Sequence, residues 1–429
     1  MKVELEPVRG MRDILEPESK YLDFIIKTFK NVAELYGYEY VVPPTIERFK
    51  LFAIKSGPEI ERSMYVFKDK AGREVCLRPE FTAGIARLYL RHLLAKPKPI
   101  KLYYMGQVFR YEEPQYGRYR EFFQAGVEYL GDSSIYADIE QILLLRDFYK
   151  LLGLSNYRVK IGTIALIRGL LSKWNVPEDE QDLVIHYIDK KMFDEVKKVL
   201  RKYEKSNEEL LNKLMSFTAE DPSKLIEFGR EIGLSQFGKE FNDELMRIST
   251  ILRVCKEVGI KDVFVDLGFA RGLAYYTGFI FEIVVPDLNL SIAGGGRYDK
   301  LIELYGGPST PAVGFSIGVD RTMLTLIKRR VELPKRLRKV MLIAFTDNYV
   351  IVDEVASKLR STGDYSVMVK FTTKSKLGDA IGLASRKGFD YVVIIGPKEV
   401  SEGVVNIKNL HTKEQKSIKL DILDQGIPI

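Results

Sequence analysis

The feature that most constrains this fold is a pair of strand-like runs between Leu102 and Leu130, joined by a charged loop. Neighbouring side chains of a strand point to opposite faces. The returning run therefore divides into two sets, Phe122, Gln124, Gly126, Glu128 and Phe123, Ala125, Val127, Tyr129. The second set predicts a core face. The first places an amide and a carboxylate on a sheet surface with a glycine between them, which leaves room for a ligand.

Two interpretations of the charges in this segment stay open on the sequence alone. Arg110 and Glu112 share a parity on the outgoing strand. Arg and Glu on opposed hairpin strands can be plain cross-strand ion pairs. A buried charge is costly without a partner, however, so several on one face favour a polar ligand.

Length and composition limit the class of protein. A chain of 429 residues is too long for one hydrophobic core, so two or three domains are expected. Two cysteines, neither in a C-x-x-C spacing, and three scattered histidines do not predict a disulfide framework or a zinc site. The net charge of +7 fits a polyanionic partner and equally fits a lysine-rich surface. No apolar run of signal-peptide or membrane-spanning length is present, which predicts a cytoplasmic protein without membrane contact.

Periodicity predicts an α/β protein in several parts. Residues 173–257 are rich in Lys and Glu and have helical spacing, which indicates a helical insertion between the segments 1–172 and 258–327 of one domain. The basic, proline-containing stretch 328–338 is typical of a linker. Beyond it, 339–429 alternates strand and helix signals, as expected for a small α/β domain with a largely parallel sheet.

No glycine-rich phosphate loop of the Walker or dinucleotide-binding type is present. Several other strings resemble one family instead. The run FRYEEPQYGRYREFFQAGVE at 109–128 is similar to motif 2 of class II aminoacyl-tRNA synthetases, in its histidyl-tRNA synthetase form. RGLAYYTG at 271–278 and AGGGRYD at 293–299 resemble two histidine-specific signatures of that family. Weaker likenesses cover 8–15, motif 1 at 37–47, motif 3 at 311–321 and, from 388 to 410, an anticodon-binding domain.

The resemblance implies a fold and an activity. The expected fold is an α+β catalytic domain on a mixed, mainly antiparallel class II synthetase sheet, with the insertion and a C-terminal anticodon-binding domain. The expected reaction joins L-histidine to tRNA(His) through histidyl-adenylate, with ATP as substrate and AMP and diphosphate as products. Mg²⁺ would be carried with ATP, no zinc is expected, and the family implies a homodimer. Ala274 replaces the aspartate usual in its signature, which favours an archaeal-type member.

Residue roles follow from the same resemblance. For ATP they are Arg110 at the α-phosphate, Glu112 at the adenine amino group, Arg118 at the γ-phosphate, and Phe122 and Arg321 on the two faces of adenine. For histidine they are Glu80, Thr82 and Gln124 at the α-amino group, Glu128 and Tyr276 at the ring nitrogens, and Tyr275 and Tyr298 as walls. Arg271 would bind the carboxylate and the α-phosphate together, so the expected catalytic set is Arg271, Arg110 and Gln124. Gln115 is the candidate for tRNA binding.

Alternatives remain at this point. A paralogue of the family serves as a regulatory subunit of ATP phosphoribosyltransferase in histidine biosynthesis, and it lacks the C-terminal domain. A class II synthetase for proline, threonine or glycine would share a similar C-terminal domain. The tyrosine pair 275–276 could simply be core packing.

Overall fold

The computed structural model describes residues 4–54, 62–271, 275–334 and 336–428. It divides into two compact units, Met1–Glu332 and Leu333–Ile429. Within the described residues, no helix is long and apolar enough to cross a membrane.

The first unit is built on a nine-stranded sheet. Its strands are β1 (Glu39–Tyr40), β5 (Ile100–Phe109), β6 (Glu121–Leu130), β7 (Arg158–Thr163), β8 (Thr218–Ala219), β9 (Val263–Asp266), β10 (Phe279–Val285), β11 (Leu290–Arg297) and β12 (Ala312–Gly318). They lie in the order β1-β5-β6-β12-β11-β10-β7-β9-β8. The pairs β1–β5 and β7–β9 are parallel, and the other pairs are antiparallel. The expected mixed, mainly antiparallel sheet is therefore confirmed.

A smaller antiparallel sheet in the same unit has the order β2-β4-β3. Its strands are β2 (Ile46–Arg48), β3 (Val66–Lys68) and β4 (Glu74–Leu77).

Helices cover the large sheet and form the insertion. They are α1 (Glu18–Leu35), α2 (Phe49–Ala53), α3 (Thr82–Leu88), α4 (Ile135–Leu151), α5 (Ala165–Lys173), α6 (Glu178–Asp189), α7 (Phe193–Leu200), α8 (Glu208–Ser216), α9 (Pro222–Glu231), α10 (Lys239–Glu257), α11 (Leu301–Leu304) and α12 (Val319–Lys328). α1 shows the underlying logic, because its buried residues, Ile25, Phe29, Val32 and Ala33, recur at helical spacing. Ser134 begins α4 by accepting a hydrogen bond from the Ala137 N–H.

The segment between β7 and β9 holds α5 to α10, as its helical periodicity predicts. It also contains β8, a two-residue strand that pairs with β9 and was not expected from the sequence. The ion pair between Arg168 of α5 and Asp182 of α6, 2.6 Å long, ties the start of this segment together. Gln181 of α6 adds a hydrogen bond to the Val176 carbonyl.

In its described residues, the second unit has five strands and three α-helices. The strands are β13 (Arg338–Ala344), β14 (Tyr365–Phe371), β15 (Tyr391–Ile395), β16 (Val404–Asn409) and β17 (Gln415–Lys419), and the helices are α13 (Tyr349–Ser361), α14 (Leu377–Arg386) and α15 (Pro397–Glu402). Their order is β14-β13-β15-β16-β17. The first three are parallel, and β16 and β17 join antiparallel. The prediction of a largely parallel sheet is therefore confirmed for β13 to β15 only.

Candidate active site

A cavity of ≈ 350 Å³ lies on the face of the large sheet formed by β5, β6, β11 and β12. Twelve of the residues singled out from the sequence line it: Glu80, Thr82, Arg110, Glu112, Arg118, Phe122, Gln124, Arg271, Tyr275, Tyr276, Tyr298 and Arg321. Because they come from segments far apart in the chain, only the folded sheet brings them together. The alternation of β6 is as predicted, since Phe122 and Gln124 face the cavity whereas Ala125 and Val127 are fully buried on the other side.

Glu128 lies directly behind this lining, with 1% of its surface exposed. Thr82 Oγ1 donates a 2.7 Å hydrogen bond to Glu128 Oε1, and the Tyr104 hydroxyl lies 3.3 Å from the same oxygen. The Tyr298 hydroxyl donates to the other oxygen, Oε2. Burial raises the pKa of Glu128 to about 8, although the hydrogen bonds from Tyr298 and Thr82 oppose that rise. Small changes in the surroundings of the Glu128 carboxyl would therefore change its charge near neutral pH.

Glu80 and Gln124 supply the polar groups beside it. Glu80 accepts hydrogen bonds from the backbone N–H groups of Thr82 and, at 3.0 Å, Ala83, at the start of α3. Burial raises the pKa of Glu80, and the nearby Arg110 opposes the shift. The buried Gln124 Oε1 has no hydrogen-bond partner among the described residues. An unpaired buried acceptor is costly, so a donor on a ligand would satisfy it.

Glycines form the floor of the cavity because functional side chains lie flat across the sheet. A Cβ on Gly314 would lie 2.9 Å from Glu128 Cδ, and one on Gly126 would lie 2.7 Å from Tyr104 Cζ. A Cβ on Gly294 would lie 2.7 Å from Arg271 Nη2. The register places Gly314 opposite Glu128 and Gly294 opposite Glu282. Gly294 of the AGGGR string thus makes space for Arg271, and Gly314 makes space for Glu128.

Arg271 follows the insertion and reaches over β10 and β11. Its Nη1 donates a 3.2 Å hydrogen bond to the Phe281 carbonyl and lies 3.8 Å from Glu282 Oε1. About one-quarter of the side chain is exposed, so Arg271 is held by its Nη1 contacts while part of its surface stays open to the cavity. Residues 272–274, including Ala274, lie outside the described residues.

Three further arginines line the cavity. Arg110 Nε donates to the Pro79 carbonyl at 2.9 Å, and its guanidinium lies 5.6 Å from the Phe122 ring centroid. Arg321 donates to the Gly117 carbonyl at 2.9 Å and the Ser291 carbonyl at 3.1 Å. Arg118 pairs with Glu112. Burial lowers the pKa of both Arg110 and Arg321, as expected when cations are concentrated away from water.

One predicted feature of this region is wrong in detail. β5 ends at Phe109, so Arg110 and Glu112 belong to the loop and not to the outgoing strand. The Arg110 N–H still bonds the Arg120 carbonyl at 2.9 Å. The hairpin therefore positions the backbone of Arg110. Glu112 lies in the loop, so strand alternation does not determine the direction of its side chain.

Gln115 does not line the main cavity. It lies on a second one of ≈ 600 Å³, with the motif 2 loop on one side and α6 on the other. Three residues, Glu112, Arg118 and Lys190, line both cavities. They therefore mark the boundary between the two.

Several cavity residues were not found from the sequence. Tyr104 belongs to the site through its register opposite Gly126, and strand parity within β5 could have suggested it. Asp189 and Lys190 come from the end of α6 in the insertion. Nothing in that Lys- and Glu-rich segment distinguishes these two residues from solvent-facing charges.

Arg297, in the second glycine-rich signature, has a structural role. Its guanidinium donates to Asp138 Oδ1 at 2.8 Å and to Asp299 Oδ1 at 3.1 Å. Arg247 of α10 donates to Asp138 Oδ2 at 2.7 Å. Asp138 is fully buried, so the two cations compensate a charge that would otherwise be costly. Among the described residues, no three His, Cys, Asp or Glu side chains are grouped as metal ligands.

Two family models match almost the whole chain. A histidyl-tRNA synthetase model covers residues 10–322, and an anticodon-binding domain model covers residues 339–427. A histidine–tRNA ligase of Sulfolobus acidocaldarius is 44% identical over 427 residues, covering 98% of this chain and 98% of that protein.

Solved structures agree in fold. A histidyl-tRNA synthetase from a Nostoc species superposes with a TM-score of 0.78 at 24% identity, covering 99% of each chain. A Bacillus halodurans protein described as an ATP phosphoribosyltransferase regulatory subunit/histidyl-tRNA synthetase superposes with a TM-score of 0.76 at 25% identity, covering 92% of this chain and 99% of that one.

Proposed function

The chain belongs to the histidyl-tRNA synthetase family, and from that premise we propose how its residues divide the work of the reaction. The enzyme is a histidine-specific aminoacyl-tRNA synthetase that uses ATP to activate histidine and transfers it to tRNA(His). The observation that carries the proposal is that Arg110 and Arg271 line one cavity whose lining residues Thr82 and Tyr298 are hydrogen-bonded to the buried Glu128. That cavity can hold a polyanion and a polar ring side by side.

ATP lies along the arginine-lined side. Arg110 contacts the α-phosphate and Arg118 the γ-phosphate, because guanidinium groups pair with phosphate oxygens in a forked geometry. Phe122 and Arg321 hold the two faces of adenine, and Glu112 accepts a hydrogen bond from its amino group. The ion pair between Arg118 and Glu112 keeps both side chains positioned until the nucleotide arrives. Mg²⁺ enters bound to ATP and offsets the charge of the β- and γ-phosphates.

Histidine lies at the enclosed end. Its α-ammonium group contacts Glu80, Thr82 and Gln124, whose Oε1 has no other hydrogen-bond donor among the described residues. Glu128 and Tyr276 bind the ring nitrogens, and Tyr275 and Tyr298 enclose the ring. An amino acid without those nitrogens would leave Glu128 and Tyr276 unpaired, so the pocket rejects it by more than lost contact area.

Arg271 brings the two reacting anions together. A carboxylate oxygen of histidine attacks the α-phosphorus of ATP, the P–O bond to the β-phosphate breaks, and diphosphate leaves. Arg271 and Arg110 offset the negative charge shared by carboxylate and phosphate as they approach. In the second step a terminal ribose hydroxyl of tRNA attacks the carbonyl carbon of the adenylate and releases AMP.

The remaining parts of the chain serve tRNA binding. Gln115 faces the second cavity, at the mouth where an acceptor end would enter. Residues 339–429 bind the anticodon, and the helical insertion at 173–257 contacts the acceptor arm. The catalytic domain comprises 1–172 and 258–327, with 328–338 as a linker. The active form is a homodimer joined through the motif 1 region, and its cytoplasmic location stays a prediction.

Amino-acid-dependent exchange of diphosphate into ATP tests the proposal. We expect exchange with histidine and none with proline, threonine or glycine. Exchange with another amino acid would identify a different synthetase. The absence of all exchange would favour a regulatory paralogue, for which activation of an amino acid is not required.

A further inference from the structure

We propose that Lys190, a residue of the helical insertion, binds the β- and γ-phosphates of ATP and so makes the insertion part of the activation site. This inference rests on the proposed placement of ATP along the arginine side of the cavity. It concerns the first reaction step, whereas the insertion's proposed contact with tRNA concerns the second.

The position of Lys190 relative to the two cavities is the first argument. Lys190, Arg118 and Glu112 are the three residues that line both. Arg118 is the residue assigned to the γ-phosphate, so Lys190 stands at the same end of the nucleotide. Thr82 and Tyr298, which bond Glu128 at the enclosed histidine end, line the first cavity only. A cation at this boundary therefore meets the terminal phosphates and not the amino acid.

The local backbone fixes that position. α6 ends at Asp189, and the N–H groups of Lys190 and Lys191 bond the carbonyls of His186 and Ile188 at 3.1 and 3.0 Å. Lys191 adopts a φ of 57°, a left-handed conformation that ends the helix, and the Met192 N–H closes the turn on the Tyr187 carbonyl at 2.8 Å. The turn thus presents Lys190 at the cavity while the chain reverses toward α7.

α6 itself is anchored to the catalytic sheet. α5 begins two residues after β7 ends, and the Arg168–Asp182 pair joins α5 to α6 with both side chains less than one-quarter exposed. Gln181 adds bonds to Val176 and, at 3.1 Å, to Ser172. Lys190 is therefore carried on a braced element, which reduces the entropy lost when it contacts a ligand.

The charges around Lys190 would allow its ammonium group to exchange a carboxylate partner for a phosphate. Its ammonium lies 3.9 Å from an Asp189 carboxylate oxygen, and its side chain is 38% exposed. A flexible lysine side chain at that exposure can move between a carboxylate and a phosphate. Beside Arg118, it would supply a second cation for the diphosphate leaving group.

The test measures exchange of diphosphate into ATP without tRNA, for Lys190→Ala, Lys190→Arg and a control, Lys198→Ala. Lys198 is an exposed lysine of α7 that pairs with Glu195 and lines neither cavity. For Lys190→Ala we expect the KM for ATP and that for diphosphate to rise about tenfold, the scale of one charged hydrogen bond, with an unchanged KM for histidine. Lys190→Arg should recover most of the loss, and Lys198→Ala should match the parent chain.

Adenosine binding separates a phosphate contact from a distorted pocket. Because adenosine has no phosphates, its affinity should be the same in Lys190→Ala and the parent chain. ATP and diphosphate constants within twofold of the parent would overturn the inference. So would intact exchange with slowed tRNA charging, which would assign Lys190 to the nucleic acid. Loss of histidine-dependent exchange in the parent chain itself would refute the proposed function instead.

Discussion

Thr82 Oγ1 and Glu128 Oε1 lie 2.7 Å apart, which joins the first residue of α3 to the C-terminal part of β6 at the buried end of the site. The pairing links the part of the site assigned to the α-amino group with the part assigned to the ring. A change at Glu128 should therefore affect both the charge and the shape of the histidine pocket.

The pH dependence of histidine use should report the charge of Glu128. Burial raises its pKa to about 8 in the empty pocket, so the ionised form that accepts a ring N–H becomes populated only as the pH rises toward that value. We expect kcat/KM for histidine to increase with pH along a limb centred near pH 8. Glu128→Gln should lower the selectivity for histidine and remove this limb. An identical pH profile in the variant would exclude Glu128 from ring binding.

The same carboxyl should make the ligand-free protein less stable to heat as the pH rises, whereas it is expected to improve histidine use as the pH rises. A folded-state pKa above the unfolded one stabilises the fold at low pH, and that contribution is lost as the pH rises from about 4.5 to about 8. Glu128→Gln carries no titrating proton, so its melting temperature should gain on the parent chain between pH 5 and pH 8. If the melting temperatures of the variant and the parent chain differed by the same amount at pH 5 and pH 8, the effect of burial on the pKa of Glu128 would be contradicted.

Gly294→Ala should disable the enzyme without unfolding it. The new Cβ would meet the Arg271 guanidinium, which must shift, since 2.7 Å to Nη2 is far inside van der Waals contact. We expect adenylate formation to fall by orders of magnitude, as for Arg271→Ala, with the melting temperature little changed. Gly278→Ala is the matched control, because its Cβ would have only ordinary contacts, the nearest at 3.8 Å. Near-normal exchange in both Gly294→Ala and Arg271→Ala would remove Arg271 from the mechanism.

Asp138→Ala tests the buried charge network. The substitution leaves Arg297 and Arg247 without their shared carboxylate in a site where Asp138 is fully buried. Breaking a buried pair in this way costs about 3–5 kcal/mol, so chemical denaturation should show a large loss of stability. Arg253→Ala, which removes an exposed pair with Glu257, should cost less than about 1 kcal/mol. A small loss for Asp138→Ala would mean that water reaches the network.

A chain ending at Glu332 should activate histidine but charge tRNA poorly. The large core cluster uses only residues before that point, and the clusters of the second unit use only residues after it. Exchange activity should therefore survive, whereas aminoacylation should lose the contribution of the anticodon-binding unit. Full charging by the shortened chain would refute the anticodon role of residues 339–429.

Local alternation along β6 predicts one part of the site, and the family resemblance supplies the other residues. Gln124 and Glu128 were placed on one face because parity in a strand depends only on neighbours along the chain. The helical spacing of apolar residues predicts helices over 21–36 and 136–152, which α1 and α4 match to within three residues at each end. The sequence also predicts one helix over 82–94, whereas α3 ends at Leu88 and a short π-helical segment, Tyr89–Leu93, follows it, a difference that periodicity does not reveal.

The rest of the site depends on relationships between segments. Tyr104 reaches Glu128 because β5 pairs with β6 in one register, and a shift of one residue would have turned it away. Lys190 reaches the cavity through the path of α5 and α6, which no local pattern encodes. Arg297 shows the reverse case, since a charged residue in a recognisable signature pairs with Asp138 and not with substrate.

The insertion leaves the sheet after β7 and returns at β9, and those strands are direct neighbours, with Val159 opposite Val263. The points at which the chain leaves the sheet and returns to it are consequently side by side. Lineages could lengthen, shorten or replace the whole helical segment while the two strands continue to pair. A protein engineer could graft a different helical module at the same junction, provided that the replacement keeps a cation where Lys190 now stands.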